Sequence, residues 1–153
     1  MTIKRTSLVF HNVIQTKNTS CKVDEWPLIA RDLRNHVIKN GLYATGPVFY
    51  QVSHFNKEQH EAEYTFYVPV NAPVNIPENS QYQFTELLQY KDGLLFRLTD
   101  MEADIEIAYE FLKAAAQDLN LTLQEPFYNI YLDVYGEGII DIFAPILGED
   151  AHD

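Results

Sequence analysis

Aromatic side chains are the groups of this chain best suited to bind a ligand, since it holds ten tyrosines, nine phenylalanines and one tryptophan. Their ring faces can stack on a flat molecule or attract a cation, and a nearby amide or carboxylate can orient it. Most rings at helical or strand spacing pack in a core, so only a subset can contact a ligand. We expect that subset to be Trp26, Tyr50, Tyr109 and Tyr131, with Asn129 as a polar anchor and Glu106 at the edge.

Groups that could carry catalysis or bind a metal are sparse. The five histidines show neither HxH nor HExxH spacing, and Cys21 is the single cysteine, so a zinc framework and an internal disulfide are excluded. The sequence has no phosphate-binding glycine loop and no GxSxG motif. We therefore expect no metal and no cofactor, and nothing in the sequence requires an enzyme.

Three of the candidate residues, Tyr50, Asn129 and Tyr131, lie in two stretches of similar sequence. GLYATGPVFYQV follows the first helical pattern and NLTLQEPFYNIYL follows the second, with Pro47 and Pro126 aligned at an offset of 126 − 47 = 79. The same offset pairs Tyr50 with Asn129, and the closing strands YTFYVPV and IDIFAPI align at an offset of 76. Two copies, each too small to bury its own apolar face, predict one pseudo-twofold domain with a ligand cleft where they meet.

Hydrophobic periodicity predicts the order strand, helix, strand, strand in each copy. In the first copy we expect strands over 7–15, 48–55 and 63–70. The helix between them ends at Asn40 and Gly41. Its apolar stripe comprises Trp26, Ile29, Ala30, Leu33 and Val37.

The second copy repeats this order after a proline-containing linker. We expect strands over 83–89 and 94–98 around a turn at Lys91 to Gly93, and later strands over 127–133 and 139–146. A capping box of Thr99 and Glu102 is expected to start a helix that reaches about Asn120. The apolar stripe of this helix comprises Ile105, Ala108, Leu112, Ala115 and Leu119.

Together these elements predict an α+β fold of duplicated βαββ units, with an antiparallel sheet and both helices on one face. We expect a single domain over residues 1–153, with repeat one at about 5–72, a linker at 72–81 and repeat two at about 81–147. The chain resembles the GyrI-like domain of the SOUL/effector-binding family in its element order, in the Gly46-Pro47 step before an aromatic strand, and in strands ending in Val-Pro-Val or Ala-Pro-Ile.

The resemblance implies a pocket that binds bulky, often cationic, aromatic molecules, as in the effector domains of multidrug-sensing regulators. Many members carry a glutamate on the strand that follows the second helix, and the matching residue here is Asn129. An amide can hydrogen-bond a ligand but supplies no carboxylate, which weakens the case for tight cation binding and for the hydrolase activity of some relatives. Glu106, Asp141 or Glu63 could replace that charge, although each is typical of a solvated face.

Charge is divided unevenly along the chain, whose net charge is −11. Residues 1–72 hold eight basic and six acidic side chains, and residues 73–153 hold three and sixteen. Such an acidic protein is not expected to bind nucleic acid. Two interpretations of the acidic half stay open: it serves solubility alone, or it attracts a cationic ligand or a basic protein partner.

Three functions remain open from the sequence. The favoured one is a stand-alone, non-catalytic protein that binds an aromatic and possibly cationic small molecule; the others are a protein-interaction adaptor or inhibitor and, less favoured, a hydrolase. A homodimer is compatible with each. The sequence shows no secretory leader and no apolar run near the roughly 18 residues of a membrane helix, so we expect a bacterial cytoplasmic protein that contacts neither membrane nor DNA directly.

Overall fold

The computed structural model describes residues 2–99, 105–134 and 137–148. The chain divides into two compact units. The contiguous unit is Val9–Leu88, and the split unit combines Met1–Leu8 with Gln89–Asp153. The elements in chain order are β1 (Ile3–Thr16), β2 (Thr19–Lys22), α1 (Trp26–Lys39), β3 (Phe49–Asn56), β4 (Glu61–Pro69), β5 (Tyr82–Leu98), α2 (Ile105–Asp118), β6 (Thr122–Leu123), β7 (Tyr128–Val134) and β8 (Glu137–Leu147).

In the contiguous unit, β4 is the central strand of an antiparallel sheet. It pairs with β3 along one edge, with Phe49 opposite Tyr67. Along the other edge it pairs first with β2 and then with the end of β1, where Val13 lies opposite Pro69. The strand order in this part of the sheet is β1, β4, β3. The helix that connects β2 to β3 packs on one face of these strands.

Helix α1 covers that face because its apolar residues recur at intervals of three and four. Leu33 and Val37 are buried, and they pack in one cluster with Ile14, Phe66 and Val68 of the sheet. Complete burial of a leucine side chain such as Leu33 contributes about 2 kcal/mol. The helix ends at Lys39, where the side-chain amide of Asn40 donates a hydrogen bond to the His36 carbonyl.

The split unit repeats this arrangement. Strand β8 is central and antiparallel to β5 on one side and β7 on the other, since Ile142 pairs with both Phe96 and Asn129. Helix α2 packs against the sheet through Ala108, Leu112 and Ala116. At the chain's beginning, Arg5 forms a two-pronged ion pair with Asp92, with the closest atoms, Nη2 and Oδ2, 2.7 Å apart.

The structure confirms the predicted α+β class and the βαββ order of each unit. Both helices have 14 residues, and Ile105 begins α2 79 positions after Trp26 begins α1 (105 − 26 = 79). The matched residues Leu33 and Leu112 are each 0% exposed. The offset that was read from the sequence thus relates equivalent sites within the two units.

Three details differ from the sequence-based expectation. Strand β5 runs unbroken through the expected turn at Lys91 to Gly93, because Asp92 bonds to Arg5 and Gly93 pairs with Pro145. The short strand β2 was not expected. Leu119 is 57% exposed rather than buried, since α2 ends at Asp118, and Ala116 takes the buried position instead.

The expected capping box falls partly outside the described residues, because Glu102 is not among them. Neither described helix has the length and apolar character that crossing a bilayer would require.

Candidate functional site

The aromatic candidates of the contiguous unit lie together where α1 meets the sheet. The ring of Trp26, the first residue of α1, lies 5.6 Å from that of Tyr50 on β3 and 6.1 Å from that of Phe66 on β4. Their planes are inclined by only 25° and 24°, so the rings are stacked. Tyr64 completes the group, with its ring 5.6 Å from Phe66. These four residues are termed the aromatic cluster.

Exposure varies across the aromatic cluster, and both of its phenols stay protonated. Phe66 is 0% and Tyr64 4% exposed, whereas Trp26 and Tyr50 are only partly buried. Burial raises the pKa of Tyr50 to about 12, with a smaller contribution from Tyr64. Burial also raises the pKa of Tyr64. Both phenols are therefore neutral at physiological pH, and the aromatic cluster offers ring faces and hydroxyl groups rather than an anion.

In the split unit, Tyr109 and Asn129 form a hydrogen-bonded pair, termed the polar pair. The hydroxyl of Tyr109 on α2 donates to Oδ1 of Asn129 on β7 at 2.7 Å. Asn129 is 0% exposed. Phe127, two residues earlier and on the same side of the chain, packs in the α2 core with its ring edge-on to Tyr109 at 5.1 Å. The polar pair is therefore set within an apolar helix–sheet interior.

The last two candidates lie at the surface of the split unit. Tyr131 is 41% exposed and follows Asn129 by two residues on the same face of β7. Glu106 is exposed in the first turn of α2. The structure thus brings Trp26 to Tyr50 in one unit and Tyr109 to Asn129 in the other.

Asp141 and Glu63, which were considered together with Glu106 as substitutes for the missing glutamate, both have partners. Asp141 accepts two hydrogen bonds from Arg97, at 2.7 Å from Nε and 2.9 Å from Nη2. It is only 7% exposed, so the expectation of a solvated residue is wrong for Asp141; its ion pair with Arg97 makes burial of the charge tolerable. Glu63 accepts a hydrogen bond from the Asn18 side chain and lies 3.4 Å from Nε2 of His54.

Alternation along β8 separates Asp141 from the polar pair. Ile140 and Ile142, its neighbours on the strand, pack in the core beneath α2, so Asp141 lies on the opposite sheet face. It therefore cannot replace the expected glutamate on the α2 side of this sheet.

Neither a metal-ligand cluster nor an activated thiol is found in the part of the chain that the structure describes. No group of three or more His, Cys, Asp and Glu side chains there could hold a metal ion. Burial and the nearby Glu25 raise the pKa of the Cys21 thiol, which disfavours the nucleophilic thiolate. The chemistry that these sites support is ring stacking and hydrogen bonding.

Two members of the aromatic cluster, Tyr64 and Phe66, were not among the residues singled out from the sequence. They alternate on β4 with Thr65, and the next residue of the same face, Val68, is also buried against α1. The signal was present in the strand's period of two, which places every second residue on the helix side. Sequence alone gave no reason to prefer that face over the other.

At the level of fold, the chain agrees with the expected GyrI-like architecture. The crystal structure of the EcmrR C-terminal domain matches with a TM-score of 0.71 and 14% identity, covering 96% of this chain and 99% of that one. The cryo-EM structure of an EcmrR–DNA complex matches with a TM-score of 0.67 and 15% identity over 94% of this chain, which spans 57% of that longer chain. SAV2435 bound to tetraphenylphosphonium matches with a TM-score of 0.52 and 10% identity, over 99% and 98% of the two chains.

The family is defined by sequence. Residues 9–146 match the family described as "Domain of unknown function (DUF5085)", and the chain belongs to that family. No curated protein matches the chain.

Proposed function

We propose that this protein binds a flat aromatic small molecule, which can carry a positive charge, and does so without catalysis. The observation that carries this proposal is the aromatic cluster, in which Trp26 and Tyr50 are stacked 5.6 Å apart and both retain exposed surface. Partly exposed, parallel rings held by a helix and a strand give a flat ligand a rigid surface on which to stack. The same neutral rings attract a cation through their π faces.

The fold comparison supports the choice of ligand class. SAV2435, which shares the fold, was solved bound to tetraphenylphosphonium, an aromatic cation. At 10% identity its individual contacts cannot be carried over to this chain. Trp26 and Tyr50 are therefore proposed as ligand contacts from their own geometry.

The polar pair is proposed to anchor a polar group of a ligand. Asn129 accepts a hydrogen bond from Tyr109 at 2.7 Å, and its amide carries both a donor and an acceptor, so Asn129 could orient a ligand that replaces a present partner, without a charge. Tyr131 and Glu106, which are both exposed, are proposed as further contacts. The contribution of each unit can be measured separately because the candidates are on different helices and strands.

The central experiment is a fluorescence titration with the cationic dye rhodamine 6G. Replacing Trp26 by Leu removes the largest ring face but keeps an apolar side chain, and we expect it to weaken the dye about tenfold. Tyr43→Leu is the matched control, because Tyr43 is 65% exposed and lies outside the aromatic cluster. Equal affinity of Trp26→Leu and wild type would exclude the aromatic cluster as the binding surface.

A second variant pair tests the polar pair. Asn129→Asp keeps the side-chain length and the acceptor for Tyr109, and should tighten a cationic dye about fivefold if Asn129 contacts it. Asn129→Glu restores the residue of many relatives, but adds a methylene at a position that is 0% exposed. The affinity for a neutral dye of similar shape should change with neither substitution. If cationic and neutral dyes respond alike, Asn129 does not anchor the ligand.

A thermal-shift measurement distinguishes small-molecule binding from the alternative function, a protein-interaction adaptor. A binder gains thermal stability in proportion to ln(1 + [L]/Kd), so tetraphenylphosphonium and the dye should both raise the melting temperature. Absence of any shift or titration signal in the folded protein would contradict small-molecule binding. The protein-interaction adaptor would then be the better hypothesis.

A further inference from the structure

Helix α1 presents an exposed face that its own unit does not use. Leu28 is 52% and Ile38 69% exposed, although both are apolar. Arg31 and Asn35 lie between them, and the spacing of three, four and three residues places all four on one side of the helix. These four residues are termed the α1 outer face. Leu33 and Val37, which are buried against the sheet, lie on the other side.

Helix α2 has a similar exposed face at matched positions. Ile107 lies 79 positions after Leu28 (107 − 28 = 79) and is 57% exposed. Glu110 and Ala114 follow at the same spacing, and Phe111 beside them is 43% exposed although one side of its ring stacks on Phe96 of the sheet at 6.2 Å. These four residues are termed the α2 outer face. Single exposed apolar residues are common on protein surfaces, but two of them one turn apart on a helix form an apolar patch, which is typical of an interaction surface.

The two outer faces carry opposite charge. Arg31 of the α1 outer face corresponds to Glu110 of the α2 outer face, and Lys39 beside the first face corresponds to Asp118 beside the second. All four side chains are exposed. Among the described residues Arg31 takes part in no ion pair, and Glu110 has only a contact with Lys113 at 3.9 Å. The charges of both faces are therefore available to a partner.

We propose that the protein self-associates through these surfaces, with the α1 outer face of one copy packed against the α2 outer face of a second copy. The apolar residues would leave water, which supplies the affinity, and the opposite charges would select α1 against α2. Pairing two α1 faces or two α2 faces would bring like charges together and is disfavoured. This inference is independent of small-molecule binding.

A second copy is favoured over an unrelated protein because the complementary surface is already present on the chain. The uneven distribution of charge points the same way: residues 1–72 carry eight basic and six acidic groups, whereas residues 73–153 carry three and sixteen. A net charge of −11 opposes random contact between copies, but contact of the basic helix with the acidic one lowers that repulsion. The contact joins different surfaces on the two copies and is heterologous.

The test is sedimentation velocity of the full chain over a range of concentrations at low and high salt. We expect association that strengthens with concentration and weakens with salt. Arg31→Glu or Glu110→Arg should each weaken association about tenfold, since an attraction between exposed charges becomes a repulsion. The double variant exchanges the charges and should recover most of the wild-type affinity.

Matched controls separate this surface from net charge alone. Lys57→Glu and Glu58→Arg make the same charge changes in the exposed turn between β3 and β4, and they should leave association unchanged. Leu28→Ser should weaken association without altering its salt dependence. A wild-type protein that stays monomeric at all concentrations would overturn the proposal, as would association that neither charge reversal affects.

Discussion

The two units build the same helix–sheet interior from different chemistry. At matched positions on β3 and β7, the contiguous unit has Tyr50, whose ring stacks on Trp26, and the split unit has Asn129, which bonds to Tyr109. The supporting leucines Leu33 and Leu112 are alike and fully buried. The framework thus depends on the positions that match, whereas the candidate binding chemistry lies where the copies differ.

A second pair of matched positions shows how far the two interiors differ. Val13 and Gly93 occupy equivalent places in the strand register, opposite Pro69 and Pro145. Val13 is fully buried. At Gly93 a side chain has no room, because an added Cβ would lie 2.2 Å from the Phe143 ring and 2.9 Å from the Ala144 carbonyl oxygen. Packing in each unit is therefore specific to that copy.

The largest expected effect on stability comes from giving Gly93 a side chain, as its matched residue Val13 has. Gly93→Ala should lower the free energy of unfolding by about 2 to 3 kcal/mol, because the methyl group overlaps the Phe143 ring. Urea unfolding followed by circular dichroism measures the change. Adding Phe143→Leu should recover part of the loss. A neutral Gly93→Ala would show that Phe143 does not cover Gly93, and the contrast with Val13 would fail.

An intermediate effect is expected for the polar pair. Tyr109→Phe removes the hydroxyl that donates a hydrogen bond to the fully buried Asn129 amide. The loss should lower the free energy of unfolding by about 1.5 kcal/mol. Asn129→Leu in the Tyr109→Phe background should cost less than in wild type, since the two groups depend on each other. A thermodynamic cycle of the four proteins measures that coupling. Strict additivity would show that the bond contributes nothing, and the two interiors would then differ in packing only.

The smallest effect concerns Tyr50 at alkaline pH. Its folded pKa of about 12 exceeds the ordinary value of 10.0, so between these values the folded state holds a proton that the unfolded chain has released. Stability contributed by this proton is complete below pH 10 and is lost as the pH rises toward 12. At pH 10.5 the loss from this residue is on the order of 1 kcal/mol relative to neutral pH. Denaturation of Tyr50→Phe should show a correspondingly shallower decline, whereas Tyr43→Phe should follow wild type.

Sequence reasoning predicted the framework well because the framework is periodic. The stripe that includes Leu33 and Val37 defined α1, and the 79-residue offset then located α2 and β7. In the contiguous unit it also placed Trp26 on the helix and Tyr50 on the strand that follows it. These successes depend on spacing along one element, which the chain records directly.

The failures involve contacts that spacing does not record. The turn expected at Lys91 to Gly93 is a continuous strand, since Arg5 bonds to Asp92 across 87 positions of sequence. Asp141 was expected to be solvated, but Arg97 on the neighbouring strand pairs with it in a buried position. A charged residue in a strand can be solvated or paired, and the partner that decides between these outcomes lies on another strand.

The ion pair between Arg5 and Asp92 has a consequence for the order in which the chain can fold during synthesis. The contiguous unit is complete once Leu88 has left the ribosome, but Arg5 must wait for a partner 87 residues later. At an elongation rate of roughly 5 to 20 residues per second that interval is on the order of ten seconds, far longer than the folding time of a small domain. The beginning of β1 is thus made first and secured late, while the unit that follows it can already be folded.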